Sequence, residues 1–163
     1  VAAGKLSPAD MLQAVTMLQP VDSLGAMAGC DVVIEAVVEN EKVKTGLFQE
    51  LHKHLAEEVI VASNTSGIPI AALAEGRSDD FRRHWLGTHF FNPPRYLRLL
   101  EIIPTPDTDP AVVDRVSWFA DHRLGKGVVR AKDSPGFIGN HIGLYGIVRI
   151  SQRSRGEAAS IGS

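Results

Sequence analysis

Asp31 to Val38 reads DVVIEAVV, and only Asp31 and Glu35 interrupt its apolar character. A short apolar run of this kind is the signature of a strand buried on both faces, as in a parallel sheet. Its neighbours decide the fold. Downstream, Asn40 to about Glu57 carries Val43, Leu47, Phe48, Leu51 and Leu55 at helical spacing. Val59 to Ser63 then predicts a second strand, ending in Asn64-Thr65-Ser66-Gly67. Ile70 to Ala74 reads as a short helix, Arg77 to Arg83 as a polar surface loop, and Trp85 to Phe90 as a third strand.

Leu97 to Ile103 is a fourth apolar segment, carrying Glu101 inside it. Asp109-Pro110 opens a helix with Val113, Val116, Phe119, Ala120 and Leu124 on one side, and Lys126-Gly127 closes it. Val128 to Arg130 is a fifth short strand, and after the Pro135-Gly136 turn Phe137 to Ile150 reads as a helix. Upstream, Gly4 reads as a helix stop. Ser7-Pro8-Ala9-Asp10 starts a helix running to about Leu18, where Gln19-Pro20 ends it. A strand edge is expected at Val21-Asp22-Ser23, with Ser23 capping a brief helix through Ala28. Ser151 to Ser163 is rich in Ser, Gly and Arg and reads as a disordered tail.

Strands alternating with helices predict an α/β fold with a largely parallel sheet. In such sheets ligands bind beyond the carboxyl ends of the strands. Three polar clusters fall at such ends: Glu39-Asn40, Asn64-Thr65-Ser66 and His89.

With 163 residues, the chain is long enough for one domain with a substantial core. Apolar residues make up 44% and charged residues 22%, as in ordinary globular proteins. A formal charge of -2 offers no footprint for nucleic acid or an anionic membrane, and no run reaches transmembrane length. One cysteine, Cys30, excludes an internal disulfide and fits a reducing compartment, so a cytoplasmic location is expected. Val1 to Met11 is no signal peptide, because a basic region followed by an apolar run is missing. The chain is expected to be a piece of a longer polypeptide.

His89 ends a strand and precedes Phe90, Phe91, Asn92, Pro93 and Pro94. The prolines stiffen the loop and histidine is the natural base near neutral pH. The alternative is a half-buried histidine satisfied by a backbone carbonyl. Glu101, in LLEII, either orients His89 or faces water at an edge. Glu35 carries the same ambiguity, with a structural role favoured. Asn64, Ser66 and Asn92 offer polar groups or simply shape turns. No nucleophile elbow, Walker motif or metal-ligand spacing is present, so no metal is expected. The dinucleotide turn G-x-G-x-x-G is also absent.

Taken together, SNTSG at 63–67, HFFNPPRYLRLLEIIPTP at 89–106 and KDSPGFIGNHIG at 132–143 resemble the L-3-hydroxyacyl-CoA dehydrogenase family. The resemblance runs from about Gly4 to about Arg149. It is nearest to the dehydrogenase part of enzymes fused to an enoyl-CoA hydratase. It implies NAD-dependent oxidation of an L-3-hydroxyacyl-CoA to the 3-ketoacyl-CoA, as in fatty acid β-oxidation. By this resemblance His89 matches the catalytic base and Glu101 its carboxylate partner. Ser66 matches the serine that contacts the substrate hydroxyl and helps place the nicotinamide. Asn140 matches an active-site asparagine. Glu39, Lys44, Asn64 and Asn92 match residues lining the cofactor or active-site cleft, with Lys44 the least direct.

The resemblance further implies that residues 1–132 are a partial Rossmann-like NAD-binding domain lacking the Gly-rich opening unit. Residues 133–150 would begin a helical domain, and the full-length protein would be a homodimer. His141 stands where the family usually has arginine, and an imidazole lacks that fork of donors. Two alternatives remain open. One is a non-catalytic acyl-CoA or partner-binding module, favoured by the missing turn. The other is a related dehydrogenase acting on free hydroxy acids.

Overall fold

A computed structural model describes residues 7–160, with side chains through residue 149. The expected helix stop at Gly4 lies outside the described residues. Helix α1 (Pro8–Thr16) starts as its sequence predicts, Ser7 Oγ accepting from Asp10 N. The expected strand at 21–23 does not form. A 3-10 turn (Leu24–Met27) follows instead, and Ser23 makes no side-chain cap there.

The sheet runs in order β1 (Val32–Glu35), β2 (Ile60–Ser63), β3 (Trp85–Phe90), β4 (Leu99–Pro104) and β5 (Gly127–Arg130). β1 is shorter than the apolar run that encodes it. Past Glu35 the chain leaves the ladder, because Val37 N donates to Glu35 Oε1 at 2.6 Å in a local turn. Val37 and Val38 are therefore exposed, and Ile34 faces out on an edge strand. The first three strands are parallel, β4 is antiparallel to β3, and β5 is parallel to β4. That reversal sets Glu101 directly opposite His89.

Alternation along the strands builds a core on each face. On one side Val61, Trp85 and Ile103 meet Phe48 and Leu51 of α2 (Glu41–Leu51), Ile70 and Leu73 of α3 (Ile70–Leu73) and Phe81 of α4 (Asp79–Arg83). On the other, Ile60, Ala62, Leu86, Leu100 and Ile102 pack on Val112, Val113, Val116 and Ala120 of α5 (Pro110–His122). Phe119 and Leu124, expected on that buried side, lie off this stripe and are exposed.

Three further expectations are corrected. Arg77 to Arg83 is not all loop, because Ser78 caps α4 and Phe81 enters the core. Phe81 stacks on Trp85 with centroids 5.4 Å apart, which anchors an otherwise polar turn. α2 stops at Leu51, short of Glu57. Helix α6 (Gly139–Ser160) continues through much of the stretch read as a disordered tail, while 161–163 lie outside the described residues. No helix among the described residues is long and apolar enough to cross a membrane.

Candidate active site

His89 sits near the carboxyl end of β3, and its register partner on β4 is Glu101. Their side chains meet, with Nδ1 at 2.7 Å from Glu101 Oε2. Both are buried, His89 at 4% and Glu101 at 1% exposure, so this is a desolvated pair. An ionised carboxylate only accepts, so Nδ1 carries the proton and the neutral ring keeps its lone pair on Nε2. Phe91 and Phe137 flank the imidazole with ring centroids 4.5 and 5.6 Å away.

The second oxygen of Glu101 is also committed. Oε1 accepts from Ile138 N and Gly139 N, each at 2.8 Å. These N–H groups open α6, where a helix has no internal acceptors for them. The Pro135-Gly136 turn brings them there through two left-handed residues, Gly136 at φ 74° and Phe137 at φ 49°. A bulky residue in that region is uncommon and is held here by burial of the Phe137 ring. The sequence offered one clue to this contact, a Pro-Gly turn directly before a helix.

At the end of β2, Asn64 Oδ1 accepts from Phe90 N at 2.9 Å and ties this strand end to β3. The next residues form a turn around Glu39, whose Oε1 accepts from Thr65 Oγ1 (2.5 Å), Ser66 N (2.9 Å) and Gly67 N (3.3 Å). Burial pushes the Glu39 carboxyl up. The Thr65 hydroxyl, the Ser66 N–H and the Lys44 ammonium outweigh it and hold the group below the ordinary carboxylate range. Asn140 Nδ2 donates to Ser66 O at 3.1 Å, so α6 closes over the same turn.

The structure thus brings Glu39, Ser66 and Asn140 into one hydrogen-bonded group, and Asn64, just before that turn in the chain, bonds to β3, the strand that carries His89. Lys44 lies behind that group and is fully buried. Asn92 stands apart, exposed in the bend after β3 and joined to Pro93 by a cis peptide bond. Two residues not singled out from sequence support the rim. Asp133 accepts from Ile70 N and Ala71 N and fixes α3 beside the approach to α6. Lys126 donates to Pro94 O and to Leu97 O, clasping the loop after Asn92. Among the described residues no acidic, histidine or cysteine cluster suits a metal ion.

A Rossmann-like sheet with a buried histidine–carboxylate pair at its carboxyl rim defines the class. The family described as 3-hydroxyacyl-CoA dehydrogenase, NAD binding domain, matches residues 1–134, and the chain belongs to it. A probable 3-hydroxyacyl-CoA dehydrogenase of Deinococcus radiodurans is 53% identical over 131 residues, covering 80% of this chain and 38% of that protein. A protein of the same description from Bacillus subtilis is 53% identical over 127 residues, covering 78% of this chain and 16% of its own length. The crystal structure of M. tuberculosis FadB2 superposes with a TM-score of 0.85 at 36% identity, covering 94% of this chain and 54% of that one. The chain spans well under half the length of these two curated relatives.

Proposed function

We propose that the full-length protein oxidises an L-3-hydroxyacyl-CoA thioester to the 3-ketoacyl-CoA, with His89 as general base. The observation that carries this reading is the buried His89–Glu101 pair at 2.7 Å, set beside the Ser66 turn. A secondary alcohol releases hydride readily only as its proton leaves, so a base within hydrogen-bond reach is required. Nε2 takes that proton. The imidazolium formed then faces the Glu101 carboxylate, which is itself buried and offsets its charge. Ser66 donates a hydrogen bond to the substrate oxygen, and Asn140 holds the turn from which Ser66 acts. In the reverse direction the imidazolium returns the proton to the alkoxide oxygen.

The rim fits the nicotinamide end of NAD. The exposed Ser66 and Glu39 offer a donor and an acceptor there, with Asn64 two residues before Ser66, whereas Asn92 lies apart in the bend after β3. Because G-x-G-x-x-G is absent from this sequence, no residue here is assigned to the pyrophosphate. NAD held at this rim by Ser66 and Glu39 would supply the acceptor for the hydride that leaves the substrate alcohol carbon.

The test is reduction of acetoacetyl-CoA by the full-length protein, followed through loss of NADH absorbance. Turnover of about 1 per second or more is expected. His89→Ala should lower it by roughly 100- to 10,000-fold. A variant turning over at the wild-type rate would sink the assignment. Binding of the thioester with no reduction would instead favour the non-catalytic module.

A further inference from the structure

We infer that Asp133 is a positioning residue for the proposed reaction: its carboxylate sets the spacing between the Ser66 turn and the start of α6, and so holds Ser66 in place relative to His89. This rests on the reading that Ser66 and His89 act on the substrate together.

Two stretches of chain meet at this site, residues 66–71 and residues 133–140. They are tied at both ends. At one end Asn140 Nδ2 donates to Ser66 O at 3.1 Å. At the other, Asp133 Oδ1 accepts from Ile70 N at 2.9 Å and Oδ2 from Ala71 N at 2.8 Å. These two N–H groups open α3, where a helix offers them no internal acceptor. Two neighbouring donors call for two acceptor oxygens on one side chain, which Asp has and Asn lacks.

The carboxylate grips a fixed object. Ile70 and Leu73 of α3 are fully buried, and Trp85 Nε1 donates to Ile70 O at 2.9 Å. Just before Asp133 the chain still belongs to the sheet, because Ala131 N donates to Ile102 O at 2.9 Å. Asp133 is thus the last fixed point before the turn at residues 134–137. That turn sets Phe137 against the His89 ring and delivers Ile138 N and Gly139 N to Glu101. From Asp133 the ring of contacts therefore reaches the reacting groups along two arms. One runs back along the chain from Ile70 to Ser66. The other runs forward through Phe137 to the partners of Glu101 and to Asn140. Loosening the Asp133 tie opens the ring and lets the two arms drift apart.

The test is Asp133→Asn in the full-length chain. The amide keeps one acceptor and turns an NH2 towards the other N–H. Amide hydrogen exchange at Ile70 and Ala71, measured without ligand, should rise about 10-fold or more. Ile138 and Gly139 should also exchange faster, although their own acceptor is Glu101, while the β2 amides of Val61 and Ala62 stay unchanged. In acetoacetyl-CoA reduction kcat should fall roughly 10- to 100-fold, with a smaller change in KM. Asp133→Ala removes both acceptors without adding a donor and should give the same pattern, which keeps the test open if the amide variant fails to fold. Faster exchange confined to Ile70 and Ala71 would make Asp133 a local cap of α3 and overturn the inference, as would a folded variant with kcat unchanged. Faster exchange at Ile138 and Gly139 in a protein whose wild type reduces no CoA thioester would support the tie and sink the dehydrogenase reading.

Discussion

Glu101 stands directly across β3 and β4 from His89 and accepts from its Nδ1 at 2.7 Å. The same carboxylate accepts from Ile138 N and Gly139 N at the start of α6. One acid therefore sets the imidazole tautomer and docks the helix that brings Asn140 to Ser66.

This double use predicts the effect of Glu101→Gln. An amide has one oxygen and one NH2, whereas the site presents three donors. If the oxygen serves the two α6 N–H groups, the NH2 faces Nδ1. The ring must then accept there and carry its proton on Nε2, which removes the lone pair the base needs. Turnover should fall by roughly 100- to 10,000-fold with little loss of helix docking. Nitrogen NMR of the imidazole should show protonation moving from Nδ1 to Nε2. An unchanged tautomer would refute the account.

Gly87 gives a prediction about the scaffold beneath the site. A Cβ there would lie 2.6 Å from Ile70 Cδ1 and 3.1 Å from Ile103 Cβ, both in fully buried side chains. Gly87→Ala should cost about 1–3 kcal/mol by overpacking. Pairing it with Ile70→Val, which removes the Cδ1 methyl, should recover part of that loss in urea denaturation.

Much of this arrangement was legible in the sequence because strand ends are marked by abrupt changes from apolar to polar. DVVIE, IVAS and WLGTHF could be placed, and Glu101 drew notice as an acid within an apolar run. The direction of β4 was not read, since an apolar run does not encode direction. Residues 91–98 held the clue, because so short a link cannot make a parallel crossover. Helix α4 escaped because five residues are too few to show a period and Phe81 is its only buried side chain. The partners of Lys44 were beyond reach. They depend on how β1, β2 and α2 converge, which no local pattern specifies.

Lys126 should matter more than its place in the turn between α5 and β5 suggests. Its ammonium holds the carbonyls of Pro94 and Leu97 and lies 5.6 Å over the Phe90 ring. Lys126→Met keeps the stem and removes the donors. Stability should fall by about 1–3 kcal/mol, and limited proteolysis should cut first between residues 91 and 98. Cleavage elsewhere with that loop intact would show that the clasp is unimportant.

Acid should weaken the Ser66 turn before it unfolds the sheet. Glu39 is held below the ordinary carboxylate range because its contacts with Thr65, Ser66 and Lys44 outweigh its burial. For a group depressed in the folded state, the stabilisation is complete above the ordinary carboxylate value. It is lost as pH falls through the lower folded value. Wild type and Glu39→Gln should therefore differ in stability at neutral pH and converge as the medium becomes strongly acidic. Carboxyl NMR of Glu39 should titrate below a free glutamate, in step with faster exchange of the Ser66 amide. A stability gap that stays constant across that acid range would mean that charge on Glu39 does not hold the turn.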